Sequence, residues 1–167
     1  MSTVNAIKVI SGDRVDGEDV VDGELIQTTR FGAVPIASDS VIAFPCGLIG
    51  LGGTRYTLLS VDVVSPFLWL QSLEYPGIAL PVTNPHRFFA DFAVELTDED
   101  AQLAGLDRDQ AADVFVTVTA APELAGCTAN LRAPILIHDG RGYQVINQVD
   151  GARVKTPLFR SAGPPGA

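Results

Sequence analysis

Tyr56-Thr57-Leu58-Leu59-Ser60-Val61, Phe67-Leu68-Trp69-Leu70 and Ile78-Ala79-Leu80-Pro81-Val82 follow one another with proline-bearing breaks between them. Each run has the length and the β-prone content of a strand. The texture repeats outward on both sides. Leu25-Ile26-Gln27-Thr28-Thr29 and Val41-Ile42-Ala43-Phe44 precede these runs; Val114-Phe115-Val116-Thr117-Val118, Pro134-Ile135-Leu136-Ile137 and Tyr143-Gln144-Val145-Ile146 follow them. Eight or nine short strands bounded by glycine, proline and aspartate imply a barrel or a sandwich. Alternation puts Val114, Val116 and Val118 on one face of their strand and Phe115 and Thr117 on the other. Both faces are largely apolar, so that strand is expected to be central.

The 16 glycines and 11 prolines interrupt the chain too often for long helices, and no apolar run approaches the roughly 20 residues that span a bilayer. One helix is expected to start at Thr97. Its hydroxyl can cap the first turn, Asp98, Glu99 and Asp100 suit the positive end of the helix dipole, and Gly105 can close it in the left-handed conformation. The acidic triplet thus has a structural explanation and needs no cation. The expected fold is mainly β, a single-domain β-barrel-like fold with one or two short helices. Residues 1–24 hold six acids against Lys8 and Arg14 and are expected to form a flexible acidic leader. Residues 25–160 form the β domain, and 161–167 a proline- and glycine-rich tail.

With 167 residues, 47% of them hydrophobic and 19% charged, the chain fits one domain that buries roughly two-thirds of its unfolded surface. The start lacks a basic stretch followed by a long apolar one, so a cytoplasmic location is expected. A net charge of −9 repels phosphates, which argues against direct nucleic-acid binding, and it attracts a basic protein. Cys46 and Cys127 are far apart and outside any CxxC spacing, so neither a disulfide framework nor a metal knuckle is implied.

Gly47-Leu48-Ile49-Gly50-Leu51-Gly52-Gly53-Thr54 comes close to a phosphate-binding G-x-x-x-x-G-K-[ST] loop. However, Gly53 stands where the lysine belongs, and the residues after it read as strand rather than helix. A tight turn with special backbone angles is the better reading. His86 and His138 lie in no metal-ligand spacing, and no serine has a G-x-S-x-G context. Catalysis by Cys46 or Cys127 would need a histidine brought in by the fold. No cofactor, no metal and no enzymatic activity is expected. The aromatics concentrate in Pro66-Phe67-Leu68-Trp69-Leu70-Gln71-Ser72 and Arg87-Phe88-Phe89-Ala90-Asp91-Phe92. Phe67, Trp69 and Gln71 share one face of their strand, and Leu68, Leu70 and Ser72 share the other, so one set could flank a binding surface.

These stretches resemble the FliW family of flagellar assembly factors. Thr29-Arg30-Phe31-Gly32 matches a T-R-F-G turn followed by a strand, and Phe44-Pro45-Cys46-Gly47-Leu48 matches F-P-x-G-L. Pro66-Phe67-Leu68-Trp69-Leu70-Gln71-Ser72 matches P-F-x-x-L-Q-S. The pattern V-x-x-P-x-x-F-F-x-D-Y-x-x-E-L runs from Val82 to Leu96, with Phe92 for tyrosine. Thr128-Ala129-Asn130-Leu131-Arg132-Ala133-Pro134-Ile135-Leu136-Ile137, Gly142-Tyr143-Gln144-Val145 and Pro157-Leu158 complete the order over about residues 25 to 158. The chain departs from the family where G-L-P-G-F-E becomes Gly47-Leu48-Ile49-Gly50-Leu51-Gly52, in a shorter and less basic hairpin between Ile137 and Gly142, and in the acidic leader.

The resemblance implies a compact β-barrel-like fold with a minor helix and a regulator that acts by binding. Such proteins bind newly made flagellin and, in exclusion of it, the translational repressor CsrA, a basic RNA-binding dimer that they inhibit away from its RNA-binding face. No membrane partner is implied, and the chain alone is expected to be a monomer. Contacts are expected from motif residues whose polarity packing leaves unexplained: Gln71, Ser72, Asp91, Glu95, Asn130 and Arg132. Gln71 and Asn130 could equally satisfy buried backbone groups. Glu74 and the acids of the helix start could add long-range attraction. Two other readings stay open: a β-barrel that holds a small molecule in its mouth or core, and a cysteine-dependent enzyme.

Overall fold

The computed structural model of the chain describes residues 8–9, 23–104 and 112–159. Among the described residues twelve strands follow in chain order: β1 (Lys8–Val9), β2 (Gly23–Thr28), β3 (Gly32–Ala37), β4 (Ile42–Ala43), β5 (Arg55–Ser60), β6 (Phe67–Ser72), β7 (Ala79–Thr83), β8 (Asp113–Thr119), β9 (Thr128–Ala129), β10 (Ile135–His138), β11 (Arg141–Gln144) and β12 (Thr156–Pro157). Antiparallel pairs run β4 to β5 to β6 to β7 to β8, then β8 to β10 and β10 to β11. A parallel bridge from Arg141 to Ala43 brings β11 back to β4 and closes a seven-stranded barrel. The mainly β, barrel-like expectation is met.

Period-2 alternation decides what fills the barrel. Tyr56 and Leu58 of β5, Leu70 of β6, Val82 of β7 and Ile135 of β10 point inward onto Phe44 and Leu48. Phe44 meets Tyr56 edge-on at 5.3 Å. The neighbouring residues face out and are covered in two places. Leu59 and Trp69 pack under the β2–β3 hairpin through Ile26, Val34 and Ile36. Val116 and Val118 of β8 pack under the loops carrying Phe88, Phe89, Cys127 and Leu158. The central position expected for β8 follows from its partners: β7, β9 and β10 all bond to it.

The turn Thr29-Arg30-Phe31 closes the hairpin. The Phe31 amide donates to the Thr28 hydroxyl at 2.8 Å, Gly32 takes φ 72°, and the Arg30 guanidinium lies 4.3 Å from the Trp69 ring centre. The hairpin motif is therefore docked onto the P-F-x-x-L-Q-S strand. A second turn, Asp139-Gly140, joins β10 to β11 with φ 54° and 76°, the positive values that two-residue hairpins favour.

The run expected to end at Ile146 leaves regular strand after Gln144. It still donates irregularly to the chain ahead of β10, through Val145 N to Pro134 O (3.0 Å) and Asn147 N to Arg132 O (2.7 Å). The helix α1 occupies Asp98–Leu103, and the Thr97 hydroxyl accepts from the Asp100 amide at 3.0 Å, as expected. Gly105, the proposed end of that helix, lies outside the described residues. So does the 161–167 tail. Of the acidic leader only Lys8, Val9, Gly23 and Glu24 are described: Lys8 and Val9 pair with Ser60 and Leu59, and β2 begins at Gly23 rather than at Leu25.

Candidate protein-binding surface

The chain leaves β7 at Thr83 and turns at Asn84, whose side-chain oxygen accepts from His86 N at 2.9 Å; Pro85 presets the first dihedral of the Pro85–Arg87 turn. This turn sends Phe88 back over the barrel. Phe88 stacks on Phe67 at 5.8 Å and meets Phe159 edge-on at 5.6 Å, so Phe67 of the first aromatic motif shares one outer cluster with the second motif.

Beyond them, three irregular segments converge on Asn147. This side chain is 1% exposed and uses all four of its hydrogen-bonding positions. Its Oδ1 accepts from Glu95 N (3.0 Å) and Val149 N (3.2 Å), and its Nδ2 donates to Ala93 O (2.9 Å) and Leu131 O (3.3 Å). The Gln148 amide adds a bond to Glu95 O at 2.9 Å. One amide thus fastens the 91–96, 130–133 and 147–152 segments together. Beside it runs a groove of about 410 Å³, lined by half-buried Phe89, Phe92 and Leu131 and by the exposed Asp91 and Asp150.

Four of the six residues expected to make contacts come together here. Asp91 lines the groove. Glu95 is exposed, with its backbone tied on both sides to the Asn147 region. Arg132 is exposed, and its carbonyl accepts from Asn147 N. Asn130 is half-buried, and its Oδ1 accepts from Arg132 N (3.0 Å) and Ala133 N (3.1 Å), which turns the chain into β10. Of the two uses foreseen for Asn130, the structure displays the backbone one.

Gln71 and Ser72 need correction as contact groups, because they are 0% and 1% exposed. They stand at the opposite end of β6 from Phe67, and their polarity serves the β6–β7 turn. Gln71 Nε2 donates to Ser72 O and Pro76 O, and Ser72 Oγ accepts from Glu74 N (3.1 Å) and Tyr75 N (2.9 Å). Glu74 has a local task as well. Its Oε1 accepts from Thr54 N (2.6 Å) and Arg55 N (3.1 Å), and the Thr54 bond is the chief reason its carboxyl lies below the usual range.

The glycine loop is a turn, as expected: Gly47, Gly50 and Gly53 have φ of 70°, 78° and 93°. It is held by Tyr56, whose hydroxyl donates to Gly52 O at 2.7 Å, and by Gln144, whose Oε1 accepts from Ile49 N at 2.8 Å. Burial, with smaller contributions from the Glu74 and Tyr75 charges, raises the Tyr56 pKa and keeps that hydroxyl a donor. Cys46 is exposed, and Cys127 is buried against the carbonyls of Ala121 and Glu123. Among the described residues, no three His, Cys, Asp or Glu side chains gather as metal ligands.

Sequence reasoning missed Asn147, which carries this surface. The one local signal was a pair of amides, Asn147 and Gln148, inside the otherwise apolar Val145-Ile146-Asn147-Gln148-Val149.

The motifs therefore meet in space as well as in order: Gly142 against Phe44, Gln144 between Ala133 O and Ile49 N, and Arg30 over Trp69. A model of the FliW protein family matches residues 24–158. The chain belongs to the FliW family. The flagellar assembly factor FliW of Geobacter sulfurreducens is 31% identical over 139 residues, covering 82% of this chain and 87% of that protein. The FliW of Nitratidesulfovibrio vulgaris (strain DP4) is 37% identical over 154 residues, covering 83% and 89%. A crystal structure of the flagellar assembly factor FliW superposes with a TM-score of 0.76 at 28% identity, covering 84% of this chain and all of that one. This FliW-family chain thus shares the family's fold and covers most of the length of these relatives. Among its described residues, no helix is long and apolar enough to cross a membrane.

Proposed function

We propose that this chain is a cytoplasmic regulator of flagellum assembly that works by binding proteins. It binds flagellin and, in exclusion of flagellin, the translational repressor CsrA, which it inhibits away from the RNA-binding face. When flagellin is scarce the chain holds the repressor and flagellin message is translated; when flagellin accumulates it takes the chain, and the freed repressor acts. The sensor is a competition of affinities, with populations set by relative concentrations. The observation that carries this reading is the FliW match across residues 24–158. The net charge of −9 supports it, because it speeds encounter with a basic repressor and discourages direct contact with RNA. Asp91, Glu95, Asn130 and Arg132 are the contact residues this reading uses.

Size-exclusion co-elution with the flagellin and the CsrA of the same genome, each alone and then together, tests it. Two mutually exclusive complexes are expected, with the repressor complex weakening as salt rises. Elution apart from both partners would end this reading.

A second reading, a small-ligand-binding barrel, draws on one observation. A groove of about 410 Å³ opens at the barrel mouth, where Leu68 and Phe115 of the inner lining meet Asn84 and Arg87. Retention of both protein complexes when Leu68→Trp fills that mouth would set this reading aside.

A further inference from the structure

We infer that the groove beside Asn147 docks an extended peptide segment of a partner, one that offers a bulky apolar side chain with lysine or arginine next to it. The inference rests on the protein-binding reading above and names the chemistry it recognises.

The first part of the argument is shape. The groove holds about 410 Å³, near the lower end of the range for pockets that enclose a small ligand and enough for one or two large side chains. Its lining combines half-buried rings, Phe89 and Phe92, with residues too small to fill the space between them, Ala93, Gly151 and Ala152. Rings around a vacant floor suit a bulky apolar side chain, the kind of contact in which interfaces concentrate their binding energy.

The second part is polarity. A small polar ligand needs free, convergent hydrogen-bonding groups, and the one buried amide in this wall, Asn147, spends all four of its positions on the protein's own backbone. What the groove offers to solvent is charge. Asp91 and Asp150 are exposed, they are the only charged groups among the described residues of its lining, and both are acidic in a chain that is already −9. An apolar side chain between the rings therefore places the flanking residues of its own chain beside two carboxylates, which favours lysine or arginine there. The same carboxylates repel an acidic segment.

Asn147 is the positioning residue. It fixes Ala93 and Glu95 on one wall and Val149 on the other, so the groove keeps its width without a ligand, and little ordering cost falls on binding.

The test uses the full chain labelled with 15N and two synthetic hexapeptides, one alternating leucine and lysine and one alternating leucine and glutamate. The lysine peptide is expected to shift the amides of residues 89–93 and 149–152 first, and the glutamate peptide to leave them unmoved. Asp91→Asn together with Asp150→Asn is expected to weaken the lysine peptide about tenfold, since each exposed pair contributes a few-fold. Phe89→Ala removes a ring without altering charge and is expected to weaken it as well. The dispersion of the amide spectrum shows directly that each variant is folded. Equal binding of both peptides, shifts confined to other parts of the barrel, or an affinity untouched by the two asparagines would overturn the inference. No flagellin or repressor enters this experiment. In the separate co-elution experiment, if the double variant binds those partners with unchanged affinity, the groove assignment fails and the regulatory reading stands; if co-elution fails in the unmutated chain while the peptide binds, the reverse holds.

Discussion

Two stretches of irregular backbone, the glycine loop over residues 47–54 and the loop cluster around Asn147, solve the same problem in opposite ways. Each runs outside the strand ladder and must find partners for its amides and carbonyls. The glycine loop spreads the task over three side chains from three elements: Tyr56 on β5, Gln144 on β11 and Glu74 in the β6–β7 turn. Glycines at positive φ let the backbone reach them. The loop cluster concentrates the task in Asn147, which holds three segments with four bonds. Distributed ties tolerate the loss of one member. A concentrated tie fails at a single atom group, and it leaves the surrounding residues free to vary for contact. That division matches the placement of Asp91, Glu95 and Arg132, which are exposed at the cluster, whereas Gln71 and Ser72 are buried near the glycine loop.

Replacing Asn147 tests the contrast hardest. Asn147→Ala strands two amides and two carbonyls at a partly buried site, each worth on the order of 1 kcal/mol or more, so a loss of about 3 kcal/mol is expected in urea unfolding. Hydrogen exchange should localise it: the Glu95 and Val149 amides lose protection while those of β5 and β6 keep theirs. A loss below about 1 kcal/mol, or one spread evenly over the barrel, would show that the backbone contacts alone hold the cluster and that the comparison is false.

The second substitution strikes the other region through packing. Gly142 faces the Phe44 ring so closely that a Cβ there would overlap its Cε2 and Cζ. Phe44 leads directly into the glycine loop and is 0% exposed, so the ring has nowhere to retreat. Gly142→Ala is expected to cost about 2 kcal/mol, the usual scale of overpacking. The peptide-induced shifts at residues 149–152 should persist, because that groove has its own support. If they vanish, the two regions are coupled through β11 and are not independent.

What the sequence disclosed follows from which forces are local. Strands such as Val114-Phe115-Val116-Thr117-Val118 announce themselves because alternation and β-branching act within a few residues, and Thr97 with its three acids announces a helix start for the same reason. Barrel closure does not, since the parallel bridge from Arg141 to Ala43 joins positions with no common local pattern. β3 was visible only through the family pattern, because Gly32-Ala33-Val34-Pro35-Ile36-Ala37 carries a glycine and a proline that weaken its strand signature. For the candidate surface, the rule that picks polar residues out of apolar motifs points to Asp91, Glu95 and Arg132, which the structure leaves exposed. The same rule misled at Gln71 and Ser72, whose partners are turn carbonyls and amides that only the fold brings near. Asn147 was invisible for a related reason: three of its four partners, Ala93, Glu95 and Leu131, come from two distant segments.

Glu74 supplies the finest test, because removing its charge should alter the pH dependence more than the stability at any one pH. The Thr54 amide and then the Arg55 amide and guanidinium favour the ionised carboxyl in the folded chain, against a partial opposing effect of desolvation, so the folded pKa lies below the unfolded one. Folding then releases the proton more readily than the unfolded chain does. The stabilisation is present above the ordinary carboxylate range and is lost as pH falls through the folded pKa. Thermal midpoints of the unmutated chain and of Glu74→Gln, followed from pH 7 downward, should converge in acid, with the unmutated chain the more stable at neutrality. The glutamine keeps an oxygen for the two amides but no charge, and two other side chains still hold the loop, so the gap at pH 7 should be the smallest of the three effects. A parallel offset at every pH would assign the tie to geometry rather than charge. A gap as large as that of Asn147→Ala would mean that the glycine loop, too, hangs on one residue.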